Sequence, residues 1–521
     1  MHHKIKLLSL AVGATLTATS AFATNGMFSH GYGTQSKGMG GTGVAYGTDS
    51  MIAATNPANM ITVGNRLDVG LAFFSPRREY TASTSPLGAA SAGPLQLPVG
   101  TFFVGDGTSE SEKNIFYIPH FGYNMMIDSH SSFGISLGGN GGMDTAYGHK
   151  QTATFVGDTP GVDGTPDLTN PANQAFLSGA PAQVSTNPCD ANAPRAPGSD
   201  DAGAQAALNG SLPPGFIGDS LADNGGQRVP GVFGNCLSTG IDLSQLFLAL
   251  TYSRSLGHTN LGASLILAAQ QLKAYGLSNF GAFVADGNPD DLTRNGYDYS
   301  YGMGARFGAT HTFAEMVTLG ASYQTKTFMT KLDKYSDLFA NGGEFDIPAS
   351  FTIGLAVKPV KGLTLALDIQ KIFYSDVDAI GNPNKLVGTV PGESCVMGDF
   401  SRCLGGSNGA GFGWQDLTII KLGVEYWVNS SLALRAGYSK TTDQVIDSDE
   451  IEFNILAPAT IREHFTLGMA FSIDKHSEIG LAAMYAPEES VKGVNRFAGG
   501  LQDIKISMKQ YELELNYAYK F

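Results

Sequence analysis

The sequence predicts an all-β chain that closes into a transmembrane barrel of about 14 antiparallel strands. Three observations carry this. The last eleven residues, Tyr511 to Phe521, alternate apolar or aromatic side chains at the odd positions with polar or small ones at the even positions, and the chain stops on Phe521. Such a strand has one greasy face and one wet face and is about long enough to cross an outer membrane at a tilt. The same period of two recurs in Leu246 to Tyr252, Leu261 to Leu267, Phe351 to Val357, Leu363 to Ile369 and Phe465 to Ile473, which marks half-buried strands. No stretch after the N-terminus has 18 consecutive apolar residues, so helical spans are not expected.

The elements follow in order. Residues 1–23 read as a secretory signal: Lys4 and Lys6 supply a positive start, Leu7 to Leu16 an apolar core, and Ala21-Phe22-Ala23 a small-x-small cleavage site. The mature chain then begins near Thr24. Residues 24–62 do not alternate. They hold a glycine run, Gly38-Met39-Gly40-Gly41-Thr42-Gly43, followed by Asp49 and by Asn56-Pro57-Ala58. The run formally matches a dinucleotide fingerprint, but no strand precedes it. A compact N-terminal hatch plugging the barrel is the better reading. Glycine lets backbone fold tightly in a confined lumen, Asp49 can cap one short helix, and Asn56-Pro57 reads as an N-cap followed by proline at the first helical position.

Residues 63–521 form the barrel. Strands are expected near 65–80, 113–127, 131–147, 242–255, 259–276, 297–312, 315–330, 343–358, 361–377, 415–428, 431–446, 462–474, 476–488 and 507–521. The links after even strands are short: Asp128 to His130, Leu256 to His258, Phe313-Ala314, Pro359-Val360, Asn429-Ser430 and Lys475. Those after odd strands are longer, and 148–241 and 378–414 are very long. Barrels of the outer membrane have short periplasmic turns and long outer loops, so both termini are placed in the periplasm. The 148–241 segment, with a candidate helix around Ala202 to Leu208, reads as an ordered lid. In the third strand, Gly138-Gly139-Asn140-Gly141-Gly142 breaks the alternation and suits a bulge or kink.

Composition excludes more than it assigns. The net charge of −14 argues against nucleic acid. The acidic run Asp286 to Asp291 lacks the spacing of a calcium loop and reads as solvated. The four cysteines, at 189, 236, 395 and 403, allow three connectivities; local pairing, Cys189–Cys236 and Cys395–Cys403, is chosen. No cluster suggests a metal and no cofactor is expected. His120, His149 and His464 stand in no nucleophile motif, so no enzyme is expected.

The stretch Gly38 to Ala45, then Asp49, then Asn56-Pro57-Ala58 directly before the first of 14 strands resembles the FadL family of outer-membrane transporters for hydrophobic compounds. The resemblance implies a 14-stranded barrel with an N-terminal hatch in a Gram-negative outer membrane. It implies passive uptake of long-chain fatty acids or hydrocarbons, with Asn56, Pro57 and Ala58 in the hatch gate. It also implies an inward-kinked third strand that opens a side exit, which corresponds here to Gly138, Gly139, Asn140, Gly141 and Gly142. A fatty-acid carboxylate would want basic donors; Arg306, Lys421 and Arg435, on faces opposite the lipid-facing residues, are the candidates. Contacts with outer-membrane lipid and lipopolysaccharide are expected, and the chain is expected to act as a monomer. A general diffusion porin and a barrel-anchored adhesin are the rival readings.

Overall fold

A computed structural model describes residues 24–83, 102–104, 107–148, 154–155, 239–388 and 390–521. The expected signal at 1–23, nearly all of the 148–241 segment with its candidate lid, and Cys189 and Cys236 lie outside these residues.

Fourteen strands build the wall: β1 Arg66–Ala82, β2 Phe116–Asp128, β3 Ser131–Tyr147, β4 Thr239–Leu256 and β5 Thr259–Tyr275. They continue with β6 Asp298–Phe313, β7 Val317–Gln324, β8 Ser350–Val360, β9 Leu363–Ile372 and β10 Leu417–Trp427. The last four are β11 Leu432–Thr441, β12 Glu463–Ser472, β13 Ser477–Val494 and β14 Asp503–Lys520. Each pairs antiparallel with the next. β14 closes on β1 in unbroken register from Arg66–Lys520 to Ala82–Ile504, so the sheet joins into a ring.

The odd residues of β14 face out, with Tyr511, Leu513, Leu515, Tyr517 and Tyr519 each 41–47% exposed. The even residues are polar yet buried: Glu512 is 6% exposed and Glu514 1%. The polar face is therefore not wet; it meets protein. From Tyr511 to Phe521 the strand rises about 33 Å at roughly 3.3 Å per residue. A tilt of about 40° reduces this to ~25 Å, the height of an outer-membrane apolar band.

Boundaries shift where turn chemistry overrides alternation. The β8–β9 turn falls at Lys361-Gly362 and not at Pro359-Val360, because Gly362 adopts a φ of 85° that a hairpin needs. Regular β7 pairing stops at Gln324; Phe328-Met329 resumes it against Met303 and Gly302 of β6 one residue out of step, so Thr325 to Thr327 bulge. β8 starts at Ser350, later than the expected 343, since Asn341, Gly342 and Gly343 all take positive φ.

The long loops fold over one end of the ring and share an apolar cluster that includes Phe280, Phe283, Tyr335, Phe339, Tyr374, Phe412, Trp414, Phe453 and Phe497. Cys395 and Cys403 are joined by a disulfide within the loop that follows β9, with Cα atoms 4.8 Å apart.

Candidate functional site

The N-terminal segment fills the cross-section of the ring. It forms helix α1 Thr34–Gly38, a 3₁₀ turn Ser50–Ala54, a second turn Pro57–Asn59 and helix α2 Met60–Val63. The Asp49 side chain accepts from Met51 N at 3.1 Å and Asn56 Oδ1 from Ala58 N at 3.0 Å. Both residues cap the turns that follow them. α1 packs on β11 to β14, the Ser50 turn on β1 to β4, and the Pro57 turn on β4 to β6. The segment thus touches strands all around the wall. Its backbone comes so close that side chains are excluded: a Cβ on Gly437 of β11 would strike Gly40 N, and one on Gly41 would strike the His30 carbonyl.

Asn56, Pro57 and Ala58 lie against β4, β5 and β6. Asn56 is fully buried. Its amide donates to Val44 O at 2.6 Å and to Ala309 O at 3.3 Å, and Ser253 Oγ donates to Pro57 O at 2.5 Å. A Cβ on Gly308 would collide with Asn56 Oδ1, and one on Gly262 with Pro57 and Ala58. The tripeptide is a bonded wedge between turn and wall.

Ions hold the rest of this seam. Lys37 Nζ lies 2.5 Å from Glu512 and 2.7 Å from Glu514 of β14, with all three side chains at most 6% exposed. Thr34 Oγ1 donates to Glu514 at 2.8 Å. Arg66 bridges Asp68 and Glu478, both at 2.9 Å, and Asp68 accepts Ser50 N and Oγ. Asp368 of β9 accepts Gly43 N and Val44 N at 2.8 and 3.0 Å. Buried ions persist when paired or hydrogen-bonded: Lys37 is paired across the seam with Glu512 and Glu514, Arg66 within the wall with Asp68 and Glu478, and Asp368 is held by two backbone N–H groups of the segment.

The three basic residues proposed to grip a carboxylate belong to the same seam. Lys421 Nζ donates to His30 O at 3.0 Å and Gly41 O at 3.3 Å. Arg306 donates to Ala53 O at 3.2 Å and to Gln324. Arg435 pairs with Glu425 at 2.7 Å, and Glu425 also accepts from the Tyr46 hydroxyl. Each thus donates to a carbonyl or a carboxylate of the protein itself. Each therefore has a partner in the seam or in the wall beneath it, while Arg306 and Lys421 also line one cavity with Phe28, Tyr32 and Asp368. The sequence reading missed Lys37, Glu512 and Glu514. Lys37 is the single Lys or Arg in 24–62, and Glu512-x-Glu514 places two carboxylates on one inward face. Two buried acids demand a cation, and that was the available signal.

The glycine run of β3 interrupts the wall. β2 pairs with β3 only from Asp128–Ser131 to His120–Gly138, whereas β3 continues to Tyr147 paired with β4. Asn140 is the extra residue, since Gly139 faces Leu246 and Gly141 faces Gln245, its neighbour in sequence. Residues Met27 to Tyr32 dock on this bulge. Phe28 bridges to Gly141, Ser29 N donates to Asn140 O at 3.4 Å, and the Tyr32 hydroxyl donates to Asn140 Oδ1 at 3.1 Å. A Cβ on Gly141 would strike the Met27 carbonyl. Gly138, Gly139, Asn140, Gly141 and Gly142 thus lie where β3 parts from β2 and meets the N-terminal segment.

At the long-loop end is an apolar void of about 30 Å³ lined by Ile241, Leu277, Phe280, Phe339, Phe412 and Phe453, among others; among the described residues no Lys, Arg, His, Asp or Glu lines it. Phe280 stands edge-on to Phe453 and Phe497, with ring centroids 5.3 and 5.5 Å apart. The long-loop end is therefore packed with apolar side chains, the N-terminal segment meets the wall through a charged seam, and the break beside β3 lies between strands 2 and 3.

Residues 251–521 match a family described as outer membrane protein transport protein (OMPP1/FadL/TodX). Over 60 residues the chain is 45% identical to an uncharacterized Chlorobium limicola protein from the phosphoenolpyruvate carboxykinase gene 5′ region; the match covers 12% of this chain and 30% of that protein. Among solved structures, the toluene transporter TodX of Pseudomonas putida is similar with a TM-score of 0.57 and 20% identity, covering 94% of this chain and 99% of TodX. A Pseudomonas aeruginosa FadL homologue is similar at 0.54 and 12% identity, with 95% and 100% covered. The Ralstonia pickettii toluene transporter TbuX is similar at 0.50 and 14%, with 94% and 99% covered. These likenesses speak to the fold.

Proposed function

The chain belongs to the OMPP1/FadL/TodX family of outer-membrane transport proteins, and from that premise we propose that it carries hydrophobic compounds inward by a hatch-gated route with a lateral exit. The carrying observation is the order of chemistries along the lumen. An apolar void lies at the loop end and a seam of paired ions lies below it. The void is only about 30 Å³, so cargo must part the rings around it; burial among them yields roughly 25 cal/mol per Å², and nothing in the charged seam rewards it. A side exit at the β2–β3 break returns it to lipid without crossing the ions. In this proposal residues 24–62 are the hatch, and movement of the Asn56-Pro57-Ala58 wedge and of Phe28 off β3 opens the way.

Uncharged cargo, such as an alkane or an aromatic hydrocarbon, fits better than a long-chain fatty acid. Among the described residues no cation lines the apolar void, and Arg306, Lys421 and Arg435 each have a partner in the protein itself. TodX and TbuX are named as toluene transporters, which supports the same choice. A diffusion porin is disfavoured because the N-terminal segment occupies the ring.

The test is uptake by Gram-negative cells that lack channels of their own, with and without this gene, using labelled toluene, hexadecane, oleate and a small sugar. Faster hydrocarbon entry with unchanged sugar entry is expected. Faster sugar entry with unchanged hydrocarbon entry would restore the porin, and oleate outpacing both hydrocarbons would restore the fatty acid.

A further inference from the structure

The outer face of β13, β14 and β1 holds charges that, apart from Lys492 with Asp503, its own strands do not pair. Going up β14 from the membrane, Tyr511 packs at a tilt against Tyr485 with centroids 5.4 Å apart, and Tyr117 stands edge-on to Phe73. Exposed aromatics of this kind mark the interface between lipid tails and water. One outward step higher, Lys509 lies directly across from Arg77. Among the described residues neither has a carboxylate within ion-pair distance. Two outward steps above that, Lys505 lies directly across from Lys492, and Lys492 is balanced only by a solvent-exposed pair with Asp503 at 3.0 Å. Between these bands Glu79 faces Glu110.

Like charges directly opposite across a strand pair are unfavourable, and three such pairs follow one another on one face. Each band could have been paired off by exchanging partners across the strands. The register keeps them apart instead. Arg77, Lys509, Glu79, Glu110, Glu488 and Tyr511 line a common cavity of about 340 Å³. The Glu79 carboxylate is steadied there by Ser507 Oγ at 2.9 Å. A bare anion in that space would meet three carboxylates, and a bare cation would meet Arg77 and Lys509. An anion that arrives with a divalent counter-ion satisfies both.

We propose that this face binds the phosphorylated headgroup of the outer-leaflet glycolipid together with its divalent cation, with Arg77 and Lys509 taking one phosphate at the level where headgroups begin. Lys505 lies four residues higher, about 13 Å along the strand, and is placed for a second phosphate. Charge-assisted bonds to phosphate favour arginine and lysine in these roles. The proposal rests on the outer-membrane location and not on the cargo, so its failure would leave the uptake reading untouched.

The experiment is lipid binding by the full-length protein in detergent, followed by native mass spectrometry. The probes are bisphosphoryl lipid A with Mg²⁺, the same lipid with its phosphates removed, and inorganic phosphate. Expected results are retention of bisphosphoryl lipid A, loss of at least tenfold in affinity in Arg77→Gln/Lys509→Gln, and weakening by EDTA. Both substitutions are on the solvent and lipid face, and the heat-dependent gel shift of the folded barrel reports that the variant is intact. Equal binding of the dephosphorylated lipid, or unchanged binding by the intact double variant, would overturn the site. Equal binding of inorganic phosphate would overturn the lipid assignment.

Discussion

Where the N-terminal segment meets the wall, contact is made by ions and directed hydrogen bonds; where the long loops meet one another, it is made by aromatic rings. Lys37 with Glu512 and Glu514 represents the first, and Phe280 among Phe453 and Phe497 the second. The difference lies in how each contact gives way. A buried ion pair holds one geometry, and losing one member strands the other in a low-dielectric site. Ring packing is non-directional and accepts a guest of similar chemistry in place of a neighbour. The seam is therefore suited to staying shut, and the cap to taking grease in.

Lys37→Met attacks the directed side and should have the largest effect. It leaves two buried carboxylates facing each other without a cation, a cost of roughly 3–5 kcal/mol for a broken buried pair. The segment should detach, seen as increased single-channel conductance and protease cleavage within 24–62. The triple variant Lys37→Met/Glu512→Gln/Glu514→Gln should recover part of that loss. Conductance equal to the parent in Lys37→Met would remove the contrast.

Phe280→Ala attacks the other side, at about 3 kcal/mol for a buried aromatic truncation. It should weaken binding of a hydrocarbon probe, measured by fluorescence displacement, while conductance stays at the parental value. A leak in this variant would mean that cap and seam open together.

Asn56→Ala removes the bonds to Val44 O and Ala309 O and the cap on Ala58 N, worth about 1–3 kcal/mol. Intermittent opening is expected in bilayer recordings, short of the sustained leak of Lys37→Met. Recordings with no events beyond those of the parent would assign Asn56 to folding alone.

The smallest effect concerns pH at the loop end. Burial, followed by the charges of Asp286, Asp291 and Asp290, pushes the Asp337 carboxyl up to about 6. An acid raised in this way favours the folded loops when protonated. That contribution is fully present below about 4 and is lost as pH rises through about 6. Hydrogen exchange of the loop after β7 should therefore quicken between pH 4.5 and 7, after correction for intrinsic exchange, and Asp337→Asn should flatten the change. A slope unaltered in the variant would rule out Asp337 as its source.

The strands were legible because lipid enforces a period of two on one face, as at Leu513, Leu515 and Tyr517. β3 was legible for the opposite reason: Gly138 to Gly142 is where the period fails, and the structure puts a bulge at Asn140. Strand ends were less so, since Gly362 and the positive-φ run at Asn341 to Gly343 obey turn geometry and not hydropathy. The inward charges were the least legible. A lysine or arginine on an inward face looks the same in sequence whether it awaits a ligand or ties down backbone, and Lys421 donates to His30 O and Gly41 O. Pairing between Lys37 and Glu512, 475 residues apart, leaves no local pattern at all.

That separation also orders events in time. β1 cannot meet β14 until the last residues have been made, and the carboxylates that receive Lys37 sit on that same final strand. A chain stopped short of Glu512 has two open sheet edges and an N-terminal segment with no counter-charge. Ring closure and plugging thus share one last component, so the completed wall and its stopper become available to each other in the same step.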